Sequence, residues 1–229
     1  MTARTRGARA VVIGTAWTEQ GEGVHRVEPR AAAAVREALV SAVAASPGAV
    51  KIGMVPDAAG AVAVEAGLDG FGGPIVLDPV LRSSRAGALF RGAPADLRGL
   101  LRRATLVTPN AAEAEALTRR RVASLDEAAA AGRALVELGA AAVLVKGGHL
   151  GGPDEPATDT LVTAAGAWRF AHPRVGGGDV RGTGCALATA IAVELARGRA
   201  LAAAIDAATA WLVDALAHAV SVGGERHLP

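Results

Sequence analysis

Gly182-Thr183-Gly184-Cys185 stands directly before a strongly helical segment. Glycines in such a place let the backbone approach an anion closely, the free N–H groups of the first turn point at it, and the helix dipole adds about half a positive charge. The same field lowers the pKa of Cys185 toward thiolate and makes it a competent base. The pattern reads equally as a tight turn carrying a small, buried cysteine. Lys51 and Lys146 are the only lysines among 24 basic residues. In a chain that otherwise uses arginine, this marks places where a compact ammonium is needed, and phosphate binding is one such use. Lys146, followed by two glycines, fits that use, whereas Lys51 sits inside an apolar strand and reads as a side chain snorkelling from a sheet edge. Asp78 closes another strand, and Asn110 and Glu113 are spaced i, i+3 on the first turn of a helix. Together they offer oxygen ligands for Mg²⁺, which takes one or two carboxylates and completes its shell with water and substrate phosphate. Asn110 and Glu113 serve equally well as a helix N-cap. His149 has no second His or Cys at ligand spacing, which argues against zinc.

These groups need elements to hold them. Short β-branched runs alternate with alanine-rich segments of helical period. Val11 to Thr15 reads as a strand, and Pro29 as the opening of a helix with Val35, Leu39, Val40 and Val43 among its apolar positions. Strands are expected at Val50 to Met54, Pro74 to Asp78, Thr105 to Val107 and Ala142 to Lys146. Helices are expected from Asp57 to Leu68, from Pro94 to Arg103, from Ser124 (with Glu127 as a capping box) to Leu138, from Cys185 to Gly198 and from Leu201 to Val220. Asp159 to Val162 and Trp168 to Phe170 read as a hairpin. Strands separated by helices make βαβ units, hence an α/β fold with a mainly parallel central sheet and helices on both faces. In such sheets ligands bind at the carboxyl ends of the strands. Those ends carry Gly53-Met54, Asp78-Pro79, Thr108-Pro109-Asn110 and Lys146-Gly147-Gly148, so the reactive groups should converge on one rim.

The 229 residues are expected to form one domain, 1–229, since no repeat, low-complexity tract or linker divides them. Hydrophobic residues make up 51% of the chain and aromatics only 3%, which argues against disorder and against an aromatic-rich recognition module. Charge is scattered around a net +2, and the basic spots Arg102/Arg103 and Arg119 to Arg121 lack interleaved aromatics, so nucleic acid is not the expected partner. No run approaches the roughly 20 uncharged residues of a membrane span. The start lacks a secretory apolar core, and one cysteine cannot form an internal disulfide, so a cytoplasmic setting is expected.

Taken in order, Val50-Lys-Ile-Gly-Met54, Val76-Leu-Asp-Pro-Val80, Leu106-Val-Thr-Pro-Asn110 with Glu113-Ala-Glu-Ala-Leu117, Val143-Leu-Val-Lys-Gly-Gly-His149 and Gly182-Thr-Gly-Cys185 resemble the hydroxymethylpyrimidine/phosphomethylpyrimidine kinase family of thiamine biosynthesis, within the ribokinase-like vitamin kinases. The resemblance covers about residues 11 to 220. It implies a three-layer ribokinase-like sandwich and ATP with Mg²⁺ as cofactors. It also implies Cys185 as the catalytic residue that deprotonates the acceptor oxygen, with Gly182, Thr183 and Gly184 completing an anion hole for the γ-phosphoryl. Lys146 and Thr108 would bind ATP, and Asp78, Asn110 and Glu113 would hold Mg²⁺ directly or through water. Gln20 would hydrogen-bond the pyrimidine, Met54 would line its pocket, and a homodimer is expected.

The sequence departs from the family pattern in three places. Family members begin with a strand and a glycine-rich substrate loop, and this sequence starts after them. The resemblance therefore implies an N-terminally truncated sheet whose apolar surface is exposed or covered by another subunit. Gly176 to Arg181 replaces a more polar family segment, and Leu81 to Arg85 also drifts. Two further readings stand beside the pyrimidine kinase: a non-catalytic relative that binds a pyrimidine, a nucleotide or a partner protein, and a pyridoxal-type vitamin kinase.

Overall fold

The computed structural model describes residues 2–20, 24–83, 87–152, 154–176, 180–222 and 225–229, with the side chains of 20, 24, 25 and 222 left aside. A short helix α1 (Thr2–Thr5) leads to a hairpin of β1 (Ala16–Gln20) and β2 (Val24–Pro29), paired from Ala16↔Pro29 onward. Then follow α2 (Ala32–Ala44), β3 (Val50–Ile52), α3 (Ala58–Gly67) and β4 (Ile75–Leu77). A 3₁₀ turn (Pro94–Leu97) runs into α4 (Arg98–Arg103), followed by β5 (Leu106–Val107), α5 (Ala111–Thr118), α6 (Leu125–Glu137) and β6 (Ala142–Val145). The chain continues through the hairpin β7 (Ala157–Thr163) and β8 (Gly166–His172), then β9 (Val180–Arg181), α7 (Thr183–Ala196), α8 (Leu201–Ala217), β10 (Val220–Val222) and β11 (Glu225–His227).

The central sheet has the order β3-β4-β5-β6-β7-β8. Its first four strands are parallel, and β7 and β8 close it antiparallel. Side chains alternate across it. Ile75, Leu77, Val107, Val143 and Val145 face the layer of α2 to α6. Val76, Leu106, Ala142 and Leu144 face α7 and α8. Continuous apolar runs buried on both faces are what a helix-covered parallel sheet demands, and the result is the expected α/β sandwich. Among the described residues no helix is long and apolar enough to cross a membrane.

The amino-terminal region departs from the sequence reading. Val11 to Thr15 is not a strand: Val11 is 81% exposed and Val12 89%, and β3 ends the sheet with no described strand on its outer side. A β-branched run becomes a strand only where a ladder partner exists. Pro29 ends β2 rather than opening a helix, and α2 starts at Ala32. The last helix stops at Ala217, and β10 and β11 follow, with β11 parallel to β9. The segment before β1 is fastened elsewhere. Glu194, 1% exposed on α7, binds Arg6 (2.5 Å), Arg197 (2.7 Å) and Arg199 (2.5 Å), and the Arg6 guanidinium lies 5.3 Å from the ring centre of Trp211. Burial would raise the Glu194 carboxyl, but the three arginines outweigh it and hold it below the ordinary carboxylate value.

Candidate active site

The carboxyl ends of β3 to β6 and the start of α7 meet around one carboxylate. Asp78, just past β4, is 1% exposed. Lys146, just past β6, donates from Nζ to its Oδ1 at 2.9 Å. The Cys185 thiol donates to Oδ2 at 3.0 Å, and Lys51 Nζ lies 3.5 Å from that same oxygen. Both lysines of the chain therefore converge on Asp78. Glycines make room for them: a Cβ at Gly53 would stand 2.6 Å from Lys51 Nζ, and one at Gly184 would stand 2.9 Å from Lys146 Nζ.

Glu113 is the second carboxylate, 7% exposed and 4.0 Å from Lys146 Nζ. Asn110 and Glu113 form a reciprocal capping box on α5: Glu113 N donates to Asn110 Oδ1 and Asn110 N donates to Glu113 Oε2, each at 2.8 Å. The Asn110 amide oxygen and one Glu113 carboxylate oxygen thus both serve the cap. Asp78 and Glu113 are two carboxylates sharing one ammonium. That donor set fits Mg²⁺, which needs one or two carboxylates beside water and phosphate. Among the described residues no group of three His, Cys, Asp or Glu side chains is placed to cage a metal.

Charge follows the geometry. Burial would raise the Asp78 carboxyl, but Lys146 and Lys51 outweigh it and hold it below its ordinary value. Burial raises Glu113, and Lys146 only partly opposes this. Lys146 stays firmly charged, because Asp78 and Glu113 overcome the effect of burial on its ammonium. The Cys185 thiol is pushed up to about 11, by the protein packed around it first and then by the Asp78 carboxylate, with Lys51 and Lys146 pulling the other way. The expected thiolate is therefore reversed: the helix dipole favours it, but burial, together with a neighbouring carboxylate that accepts the thiol's hydrogen bond, disfavours it more.

Gly182 takes a left-handed conformation (φ +78°) as N-cap of α7, with no side chain capping the helix. The first intrahelical bond runs from Ala186 N to Gly182 O, so the N–H groups of Thr183, Gly184 and Cys185 have no carbonyl partner within the helix. They stand beside Lys146, whose ammonium adjoins Gly184. Thr108 is fully buried, with its hydroxyl 3.5 Å from the Leu77 carbonyl, and is not presented to a ligand as the resemblance implied. Met54 is half-buried at the β3 end of the rim, where its carbonyl accepts from Thr15 Oγ1 at 2.7 Å. Gln20 ends β1, and its side chain lies outside the described residues, as do parts of both divergent segments, 84–86 and 177–179.

One support escaped the sequence reading and one residue, Lys51, reads there as a snorkelling side chain. Asp159 on β7, 3% exposed, accepts from Gly147 N at 2.8 Å, and His172 Nε2 lies 3.7 Å from its other oxygen. A Cβ at Gly147 would fall 1.8 Å from the Thr158 carbonyl oxygen, so only glycine lets the turn after Lys146 lie against β7. Arg174 ties down the same turn through the carbonyls of Gly148, Leu150 and Glu155. Lys51 does not snorkel to solvent but turns to Asp78. Its being one of two lysines was the available signal, but spacing along the chain does not reveal that it shares a carboxylate with Lys146.

With a single cysteine in the chain, alkylation reports Cys185 alone. Iodoacetamide should react slowly at pH 7 to 8 and faster as the pH approaches the thiol's value of about 11. Asp78→Asn removes both the opposing charge and the proton acceptor, so it should move this profile to lower pH. An unchanged profile would contradict the coupling of the two groups.

Comparison with known proteins identifies the family. The family model described as phosphomethylpyrimidine kinase matches residues 1–229. A hydroxymethylpyrimidine/phosphomethylpyrimidine kinase of Rhizobium meliloti is 42% identical over 175 residues, covering 75% of this chain and 65% of that protein. One from Bacillus subtilis is 34% identical over 215 residues, covering 91% and 79%. The crystal structure of phosphomethylpyrimidine kinase from Clostridium difficile superposes with a TM-score of 0.76 at 26% identity, covering 94% of this chain and 90% of that one. Pyridoxal kinase from Staphylococcus aureus in complex with ADP superposes with a TM-score of 0.87, covering 99% and 84%, but at 23% identity it shares the fold alone. From its matched length, its relatives and the rim built around Asp78, the chain belongs to the phosphomethylpyrimidine kinase family.

Proposed function

We propose that residues 1–229 act as one kinase domain that transfers the γ-phosphoryl of ATP to hydroxymethylpyrimidine or to its monophosphate in thiamine biosynthesis. The observation that carries this reading is the convergence on Asp78 of Lys51, Lys146 and Cys185, groups from three separate segments, in a member of this family. Phosphoryl transfer asks a protein mainly for positioning and for stabilisation of charge on the transferring group. Lys146 and the open N–H groups at the start of α7 would receive the ATP phosphates. Asp78, Asn110 and Glu113 would hold Mg²⁺, directly or through water, and the ion would offset phosphate charge when bound.

Cys185 stands beside these groups and would accept the proton of the attacking oxygen. In the protein alone the thiol keeps its own proton at neutral pH, so its work as a base depends on cations that offset Asp78. Lys51 and Lys146 supply part of that charge. Met54 and Gln20 would flank the pyrimidine at the β3 end. Trp17, 77% exposed on the β1–β2 hairpin, and the exposed Val11 and Val12 earlier in the chain support a homodimer, which light scattering reads as twice the chain mass. A lone cysteine kept as a free thiol suits a reducing cytoplasm.

The test is transfer from Mg-ATP to each pyrimidine. Wild-type protein should phosphorylate at least one. Cys185→Ala should lower turnover by about two orders of magnitude or more while leaving ATP affinity nearly unchanged. Lys146→Ala should chiefly weaken ATP. Full turnover by Cys185→Ala would show that the base lies elsewhere, and ATP binding without any turnover in wild type would favour a non-catalytic relative.

A further inference from the structure

In strand order the rim carries Lys51 on β3, Asp78 after β4, Asn110 after β5 and Lys146 after β6. The two ammonium groups therefore approach Asp78 from opposite sides, one on each carboxylate oxygen. Their engagement differs. Lys146 is held at 2.9 Å by Asp78 and faces Glu113 as well. Lys51 is 3.5 Å from Asp78, beyond the usual length of about 2.8 Å for a charge-assisted hydrogen bond. Its side chain is 19% exposed, and Met54 follows three residues later on the same end of the sheet.

If the Lys146 side receives ATP, the Lys51 side receives the acceptor. The two proposed acceptors differ in charge. The alcohol is neutral, whereas a phosphate monoester carries about two negative charges near neutral pH. Such a dianion must come to rest close to Asp78 and Glu113, two carboxylates in a partly desolvated rim, where unneutralised like charge is costly. A lysine held at ion-pair distance, rather than locked in a short hydrogen bond, can turn toward an incoming phosphate without leaving Asp78 unpaired, since Lys146 remains.

We infer that Lys51 is the acceptor-phosphate residue: its ammonium binds the phosphate of a monophosphorylated acceptor and selects for the second phosphorylation over the first. This rests on the kinase reading above. Gly53 belongs to the same device. Lys51 pairs with Val76 in the ladder, so its side chain must run forward past Gly53 to reach Asp78, and any Cβ at 53 would displace the ammonium.

The experiment compares kcat and KM for the alcohol and for the monophosphate in wild type, Lys51→Met, Lys51→Arg and Gly53→Ala. Lys51→Met keeps the apolar stem packed and removes only the charge. It should raise KM for the monophosphate by about 30-fold with little change in KM for the alcohol, while kcat falls for both acceptors through loss of a charge that offsets Asp78. Lys51→Arg should recover much of the monophosphate activity. Gly53→Ala, which retains the lysine but pushes its end aside, should reproduce the selective rise in KM. An unchanged KM for the monophosphate, or an equal rise in KM for both acceptors, would overturn the inference while leaving the kinase reading intact. Wild-type protein that turns over neither acceptor would instead overturn the kinase reading, and this inference with it.

Discussion

A carboxylate removed from water, as Asp78 is, must be neutralised or it destabilises the fold that buries it. Here two ammonium groups and a thiol meet that demand, each delivered by a different segment. Lys51 comes along β3, Lys146 off the end of β6, and Cys185 from the first turn of α7. The parallel register aligns these strand ends, with Ile52 opposite Leu77 and an isolated pairing of Asn110 with Lys146. The active rim is therefore also an electrostatic closure of the sheet, and its cations are held in place by the charge they neutralise.

That arrangement also decides the state of the nucleophile-like group. A cysteine at a helix N-terminus is ordinarily pulled toward thiolate. Placed against Asp78, the same cysteine is held as a thiol, and its proton occupies the carboxylate oxygen that Lys51 also approaches. In the protein alone the thiol therefore keeps its proton at neutral pH. Binding of cationic or anionic partners at Asp78 shifts the balance, which suits a reaction in which charge arrives with the substrates.

Much of this was legible in the sequence, and the reasons are physical. Strands buried on both faces are short continuous apolar runs, so β4 and β6 and the polar residues that follow them stand out. The Asn110–Glu113 cap uses fixed local spacing and forms a full box, whereas at Ser124 only the serine arm forms and the Glu127 carboxylate reaches Ala123 N instead. Val11 to Thr15 carried strand composition, yet composition cannot supply a ladder partner. The β1–β2 hairpin, and the three-residue strands β10 and β11, are too short or too mixed in composition to announce themselves. The chemistry of Asp78 was harder to read. The helix dipole acting on Cys185 is a local property, while the carboxylate that defeats it lies 107 positions earlier in the chain. Lys51 and Asp159 became visible as site residues only once the sheet placed them beside Asp78 and Gly147.

The central claim is that Asp78 and Cys185 act as one unit. A double-mutant cycle on single-turnover phosphoryl transfer tests it directly, using Asp78→Asn, Cys185→Ser and the double variant. The account predicts strong non-additivity, with the double variant little slower than the slower single variant. Losses that multiply as independent factors would contradict it and would make Asp78 and Cys185 separate contributors that only happen to touch.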